Sequence, residues 1–237
     1  MQAEDRNPVA AILAGGLGTR LRAVVSDRPK PMAEIAEGRP FLDYLVSKLF
    51  ENRFSRVILC VGYKRESIIR YFSLKYGARI EFSEEVTSLG TAGALKNAES
   101  RLPNRFLVLN GDSHLTLEYL ELLRFHQRTQ SDLTMTLSKI GGRRYGHALL
   151  KGNRVLKFGK DFTRDESNLA NAGVYVFEKT ILDNVPENRE FSLEKDLIPD
   201  LLSKGFRVMG FITENQFIDM GVPETYEYLR RNPDLLD

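Results

Sequence analysis

The 237-residue sequence has one cysteine, no tryptophan and three histidines. No apolar run approaches the ~18 residues that a membrane-spanning helix needs. Each shortage excludes something. Cys60 alone cannot close an internal disulfide, and a single thiol fits a reducing compartment. His114, His126 and His147 do not form a metal cluster, so zinc chemistry is unsupported. His126 falls on a helical stretch and is expected to be solvated, whereas His114, directly after Gly111-Asp112-Ser113, is a candidate lining residue. An excess of one charge is missing too. Lys plus Arg total 34 and Asp plus Glu 32, a formal net charge of +2 where a dedicated nucleic-acid binder shows a basic excess. Met1 to Pro8 is polar and lacks the apolar core of a secretion signal, so a cytoplasmic location is expected. What is present, 42% hydrophobic and 28% charged residues, is a globular composition that rules out disorder as the main state.

Two periods alternate along the first half. Ala10–Leu13, Arg56–Val61, Arg79–Phe82 and Phe106–Leu109 read as strands. Between and after them, Phe41–Phe50, Ser67–Leu74, Thr91–Leu102 and Leu117–Gln130 carry helical spacing. Continuous apolar strands such as VILCV and FLVL fit a sheet covered on both faces. The second half adds a strand over Leu133–Leu137, then a hairpin of Ala148–Lys151 and Arg154–Phe158 across Gly152-Asn153. A strand over Ala172–Phe177, a helix over Ser192–Lys204, a strand over Arg207–Ile212 and a helix over Pro223–Arg231 complete it. No linker or repeat interrupts the pattern. The expectation is one α/β domain over 1–237, three-layer α/β/α and Rossmann-like, with a mixed, mostly parallel sheet.

Ala14-Gly15-Gly16-Leu17-Gly18-Thr19-Arg20 follows the first strand. Glycines there let the backbone approach a ligand and aim N–H groups at anionic oxygens. A P-loop is excluded because no Gly-Lys-Ser/Thr follows, and a dinucleotide fingerprint because Pro29 and Pro31 soon interrupt the helix that should follow. A tight turn that binds nothing is the competing reading, and Arg20, a guanidinium suited to phosphate, weighs against it. Lys30, between two prolines, sits on a stiff extended segment.

These residues make the sequence recognisable. LAGGLGTRL at 13–21, PKPM at 29–32, LGTAGAL at 89–95, VLNGD at 108–112, NAGVYVF at 171–177 and FIDMGVPE at 217–224 resemble, in order and over more than 200 residues, the signatures of the sugar-1-phosphate nucleotidyltransferases. Within that family, LRAVVSDRPKPMAEI, RYG at 144–146 and FIDMGVPE look most like the branch that guanylylates D-glycero-α-D-manno-heptose 1-phosphate. The resemblance implies that an NTP and a sugar 1-phosphate give an NDP-sugar and pyrophosphate. It implies a nucleotide-binding half over about 8–130 and a sugar-binding half over about 131–237. It also implies small-molecule substrates, GTP and a sugar 1-phosphate, with no nucleic acid or membrane as partner.

Such a reaction brings two anions together, so neutralising charge is the main task, and neither a general base nor a nucleophilic side chain is required. By the resemblance, Leu13, Ala14, Gly15, Gly16, Gly18, Thr19 and Arg20 line the nucleotide. Arg20 neutralises the leaving pyrophosphate, and Lys30 reaches the α-phosphate and the sugar phosphate. Asp112 and Asp219 hold Mg²⁺, although strand-end Asp residues are commonly only turn formers. Gly90 and Thr91 lie against the base, with Thr91 also a candidate helix cap. Glu85, or its neighbour Glu84, offers acceptors only, which match the adjacent N–H donors of guanine; a solvated strand-end acid is the bland alternative. Tyr145, Gly146, Asn171 and Gly173 match sugar-contacting segments, and Glu194 stands near a helix start within reach of the sugar. One departure concerns Phe158-Gly159-Lys160-Asp161, where relatives often carry F-x-E-K: the signs are swapped, so sugar contacts do not transfer to Lys160 and Asp161. Competing readings are a UTP-, CTP- or dTTP-dependent transferase for mannose, glucose or N-acetylmuramate 1-phosphate, and a non-catalytic NDP-sugar-binding module.

Overall fold

The computed structural model describes residues 7–16, 18, 21, 28–139, 145–162, 167, 169–215 and 217–236. The chain enters through β1 (Val9–Leu13) and passes a small β2 (Glu34–Ala36) and β3 (Arg39–Pro40) pair. It then alternates α1 (Phe41–Glu51), β4 (Arg56–Val61), α2 (Arg65–Tyr76), β5 (Ile80–Glu84), α3 (Gly90–Asn97) and β6 (Arg105–Asn110). A short β7 (Ser113–Leu115) and α4 (Tyr119–Thr129) lead to β8 (Leu133–Ser138), the hairpin β9 (His147–Lys151) and β10 (Arg154–Gly159), and the long β11 (Ala170–Glu178). The chain closes with α5 (Ile198–Ser203), β12 (Val208–Thr213), β13 (Phe217–Asp219) and α6 (Pro223–Arg231).

Nine strands form one sheet in the order β5-β4-β1-β6-β11-β8-β12-β10-β9. The first four run parallel, β11 is antiparallel to both β6 and β8, and β8 is again parallel to β12. Side chains alternate to two cores, as the pleat requires. Ala10, Ile12, Leu59, Leu107 and Leu109 face Leu42, Leu45 and Leu49 of α1 and the apolar stripes of α2, α4 and α6. Val9, Ala11, Ile58, Cys60 and Val108 face Leu95 of α3 and Leu201 of α5. Each fully buried Leu or Ile contributes about 1.5–3 kcal/mol of transfer free energy, so both faces must be covered. The expected three-layer α/β arrangement with a mixed sheet is thus present. Among the described residues no helix is long and apolar enough to cross a membrane.

Three expectations change. The helix expected over 91–102 ends at Asn97, followed by a 3-10 turn over Glu99–Arg101. The helix expected over 192–204 is a π-helical turn over Leu193–Leu197 joined to α5. Pro199 has no N–H to give to the carbonyl one turn back and its ring crowds that carbonyl, so the turn before it widens. His126 is not solvated but fully buried. It continues the stripe Tyr119, Leu122, Leu123 by helical spacing, which turns it onto the sheet. The pairs β2–β3 and β7–β13 were not foreseen, because strands of two or three residues are too short to show a period.

The His126 ring bridges Thr134 Oγ1 (2.8 Å from Nδ1) and Glu178 Oε1 (3.2 Å from Nε2), and Arg105 Nε also donates to Glu178 Oε1 at 2.6 Å. Burial holds His126 below its ordinary pKa despite Glu178. Burial alone would raise the Glu178 carboxyl, but the hydrogen bonds from His126 and Arg105 outweigh it and hold the carboxyl low. Between its folded and unfolded values His126 binds a proton only in the unfolded chain, so stability falls as pH drops below about 6.5. Glu178 adds a second loss as pH falls from the ordinary carboxylate value through its lowered one. Chemical denaturation from pH 7.5 to 3 should therefore show a declining unfolding free energy, and Glu178→Gln should flatten the limb below 4.5. An unchanged lower limb in that variant would remove Glu178 from this account.

Candidate active site

The site is built on the ends of β1, β4 and β6. Ala14 N–H donates to the Cys60 carbonyl at 2.8 Å and Gly111 N–H to the Leu13 carbonyl at 3.0 Å, so the glycine loop and the turn after β6 leave the sheet side by side. Gly18 has φ +59°, and a Cβ there would lie 2.7 Å from Lys30 Cβ. Glycine is thus what lets the stem of Lys30 cross the loop. Leu17, Thr19 and Arg20, and with them the phosphate role expected of Arg20 and the lining role expected of Thr19, lie outside the described residues.

Lys30 begins a 3-10 turn after Pro29, and its side chain is only 7% exposed. Its Nζ lies 2.5 Å from Asp112 Oδ2. Asp219, at the end of β13, is drawn to the same place by the β7–β13 pairing, which sets Asp219 opposite Ser113, and by the Met220 N–H bond to the Asp112 carbonyl. Gly221 N–H donates to Asp219 Oδ1 at 2.6 Å. Both Asp219 Oδ1 and Lys30 Nζ lie within 3.0 Å of the point that a Gly221 Cβ would occupy. One ammonium and two carboxylates therefore share one corner. Among the described residues no group of three or more His, Cys, Asp or Glu could hold a metal. Two hard carboxylates suit an ion that keeps most of its shell for water and substrate phosphate oxygens, as Mg²⁺ does, although Lys30 already takes up Asp112 Oδ2.

Two cavities open from this corner. The larger, about 370 Å³, is lined by Leu13, Ala14, Gly15, Gly16 and Gly18, by Lys30, and by Glu85, Gly90 and Thr91. The smaller, about 210 Å³, is lined by Tyr145, Asn171, Gly173 and Asp219. Asn110, Asp112, Lys160 and Glu194 line both. Lys160, set aside because of its inverted sign, thus stands at the junction; its neighbour Asp161 lines neither cavity. Gly146 lines neither as well: a Cβ there would strike Phe158 Cζ at 2.5 Å, and its carbonyl accepts from Asn171 N–H. His114 is buried in β7 and also absent from both linings; burial, aided by Lys48, lowers its pKa to about 4. Burial raises the Cys60 thiol to about 12, which removes it as a nucleophile.

In the wall of the larger cavity stands Glu85, not Glu84. Glu85 is 9% exposed, and its Oε2 accepts the Leu89 N–H at 3.0 Å. Burial raises its pKa against that hydrogen bond. In the smaller cavity Asn171 Nδ2 donates to Tyr175 Oη at 2.6 Å and Glu194 Oε1 at 2.9 Å, and Asn171 Oδ1 accepts from Gly173 N–H. Both amide hydrogens of Asn171 are therefore used inside the protein, and the group it orients is Glu194. Burial raises the Glu194 carboxyl, opposed by Lys160 and Asn171. Tyr145 Oη donates to Asp219 Oδ2 at 3.3 Å, which ties this wall to the carboxylate corner.

Thr91 is the second residue of α3 rather than its cap. Its Oγ1 accepts the Leu193 N–H at 2.7 Å, while the Phe191 carbonyl accepts from Ala92 and Gly93 N–H. The start of α3 is thereby fastened to the segment that carries Glu194. Gly90, at φ +69°, lies against the Phe191 backbone, and a Cβ there would sit 2.7 Å from the Phe191 carbonyl oxygen. Gly90→Ala should therefore lower the unfolding free energy by about 1–3 kcal/mol, read from denaturant midpoints. A shift below ~0.5 kcal/mol would show that the 189–193 segment yields freely.

A profile of the family described as Nucleotidyl transferase matches residues 9–233. A D-glycero-alpha-D-manno-heptose 1-phosphate guanylyltransferase from Aneurinibacillus thermoaerophilus is 38% identical over 221 residues, covering 92% of this chain and 94% of that protein. A mannose-1-phosphate guanylyltransferase from Mycobacterium tuberculosis is 34% identical over 96% of this chain but only 64% of its own length. The crystal structure of HddC from Yersinia pseudotuberculosis complexed with GMP-PN superposes with a TM-score of 0.81 at 33% identity, covering 94% of this chain and 98% of that one. The match runs from the first residue of β1 to beyond α6 and spans every wall of both cavities, and on that ground the chain belongs to the nucleotidyl transferase family.

Proposed function

We propose that this chain transfers a guanylyl group from GTP to a sugar 1-phosphate, D-glycero-α-D-manno-heptose 1-phosphate, and releases pyrophosphate. The observation that carries the reading is the junction of the two cavities. A glycine-walled compartment with a buried acceptor, Glu85, meets a polar compartment with Tyr145 and Glu194, and Asp112 and Lys160 stand between them. That is the layout needed to bring a nucleotide and a sugar phosphate together end to end. The names of the Aneurinibacillus and Mycobacterium relatives support guanylyl transfer and offer heptose or mannose as the sugar. Heptose is preferred because that relative matches over nearly its whole length at the higher identity.

On this reading a phosphate oxygen of the sugar attacks the α-phosphorus of GTP, and the bond from that phosphorus to the leaving pyrophosphate breaks. The attacking oxygen is already anionic, so no base takes a proton. Lys30 meets the charge that gathers at the α-phosphate, and Asp112 holds its ammonium in place beforehand, so little reorganisation is needed in the transition state. Asp112 and Asp219 would hold Mg²⁺, which when bound neutralises and orients the triphosphate. The glycine loop 13–18 supplies backbone N–H groups to phosphate, with Arg20 as the loop's cation on the leaving pyrophosphate. Glu85 reads the guanine edge with the acceptor capacity left after Leu89. Glu194, aimed by Asn171, meets sugar hydroxyls.

Two results are expected. Asp112→Asn or Asp219→Asn should abolish pyrophosphate release in a protein that still folds, Asp112→Asn with a lowered thermal midpoint because Lys30 loses its partner, and EDTA should stop the unaltered enzyme. Near-normal turnover of either variant at saturating Mg²⁺ would overturn the metal assignment. In a competition among equimolar GTP, UTP, CTP and dTTP, GTP should win by about tenfold to a hundredfold, the ~1–3 kcal/mol of a bidentate base-edge match. Glu85→Gln should narrow that gap. Scoring the same nucleotides against heptose, mannose, glucose and N-acetylmuramate 1-phosphates identifies the sugar, and a clear UTP or CTP preference would reject the guanylyl reading.

A further inference from the structure

We infer that Arg65, which lines neither cavity, sets the base preference of this protein by fixing how Glu85 enters the nucleotide compartment. The inference rests on the reading of Glu85 given above. Glu84 and Glu85 are adjacent acids at the end of β5, and a one-residue slip would exchange their directions. The backbone around them is held at three points. Asn97 Nδ2 donates to the Glu84 carbonyl at 3.1 Å, Glu85 N–H donates to the Val61 carbonyl at 2.8 Å, and Arg65 Nη1 donates to the Glu85 carbonyl at 2.9 Å. Arg65 Nε also pairs with Glu84 Oε2 at 2.9 Å and lies 3.9 Å from Glu66 Oε1. A single guanidinium thus draws the Glu84 side chain outward and clasps the next carbonyl, and the Glu85 side chain is left to point in.

The same turn holds the opposite wall. Between β4 and Arg65 the chain passes through Gly62, Tyr63 and Lys64, the last in the left-handed region at φ 53° and ψ 36°. Tyr63 N–H donates to the Gly15 carbonyl, and Arg65 N–H closes the turn on the Gly62 carbonyl. Glu85 Oε1 lies 2.5 Å from the point that a Gly15 Cβ would occupy, so the carboxylate rests against the glycine loop. The turn therefore sets both the acceptor and the surface against which it is presented. Arg65 is a positioning residue: its removal deletes no ligand contact. The ion pair with Glu84 is half exposed and contributes little to stability, so the effect falls on geometry rather than on folding.

The test compares kcat/KM for GTP and UTP, with one sugar 1-phosphate, in the unaltered protein and in Arg65→Ala, Arg65→Lys and Glu85→Gln. Arg65→Ala should lower the GTP-to-UTP ratio by about three- to tenfold, a few tenths to most of the loss in Glu85→Gln, at an unchanged sugar-phosphate KM and thermal midpoint. Arg65→Lys, which keeps one donor for the carbonyl, should recover part of the ratio and serves as the readout if the alanine variant does not fold. A ratio in Arg65→Ala and Arg65→Lys equal to that of the unaltered protein, alongside a loss in Glu85→Gln, would overturn the inference. If the unaltered protein prefers another base, the guanine reading fails by itself. The role of Arg65 then still stands or falls on whether its variants and Glu85→Gln shift the ratio together.

Discussion

Lys30 Nζ lies 2.5 Å from Asp112 Oδ2, and much of the architecture around the cleft exists to permit that contact. A lysine buried to this degree needs an anion beside it, because an unpaired ammonium removed from water is strongly disfavoured. The prolines on either side of Lys30 restrict the chain that delivers it, Gly18 leaves room for its stem, and the turn after β6 brings the carboxylate to meet it. Asp219 joins through β13, a strand of three residues whose role is to set one side chain beside Asp112. The result is a charged corner assembled by the protein alone, and under the proposed reaction it lies where two phosphates concentrate negative charge.

From that corner the two compartments are held by different means. The larger compartment depends on backbone: close approach of the Leu13–Gly15 stretch to Gly111 and Gly62, and carbonyls pinned by Tyr63 and Arg65. The smaller compartment depends on a buried side-chain chain running from Tyr175 through Asn171 to Glu194. In a low-dielectric setting such a chain rigidifies the group at its end. The two sides are not independent, since Thr91 of α3 accepts a hydrogen bond from Leu193, next to Glu194. Glu194 itself stands on the π-helical turn before Pro199.

Most of the sheet was legible because strand and helix periods are written locally. VILCV and FLVL have no polar residue to turn outward, so they could only be strands covered on both faces, and both are buried in the sheet. The hairpin turn at Gly152-Asn153 and the helix opened by Pro223 follow from residues that restrict or free φ at those positions. The helix expected over 192–204 is present over 193–203, but hydrophobic spacing does not register its widened turn before Pro199. His126 was misread because residue type suggested solvent, although its spacing from Tyr119 and Leu122 already assigned it to the buried stripe.

By itself the sequence determined the order of elements, the glycine loop after β1, and which motifs a nucleotidyltransferase reading would put to use. Those depend on backbone preferences and side-chain periods that each short segment carries alone. Only the tertiary structure decided that Glu85 rather than Glu84 faces the cavity, that Asp219 meets Asp112 and Lys30, that Asn171 orients Glu194, and that Lys160 stands where the cavities join. Each of these is a contact between segments far apart in the chain. Such contacts are set by strand register and by what packs across the sheet, and neither leaves a mark on the spacing of residues within a segment.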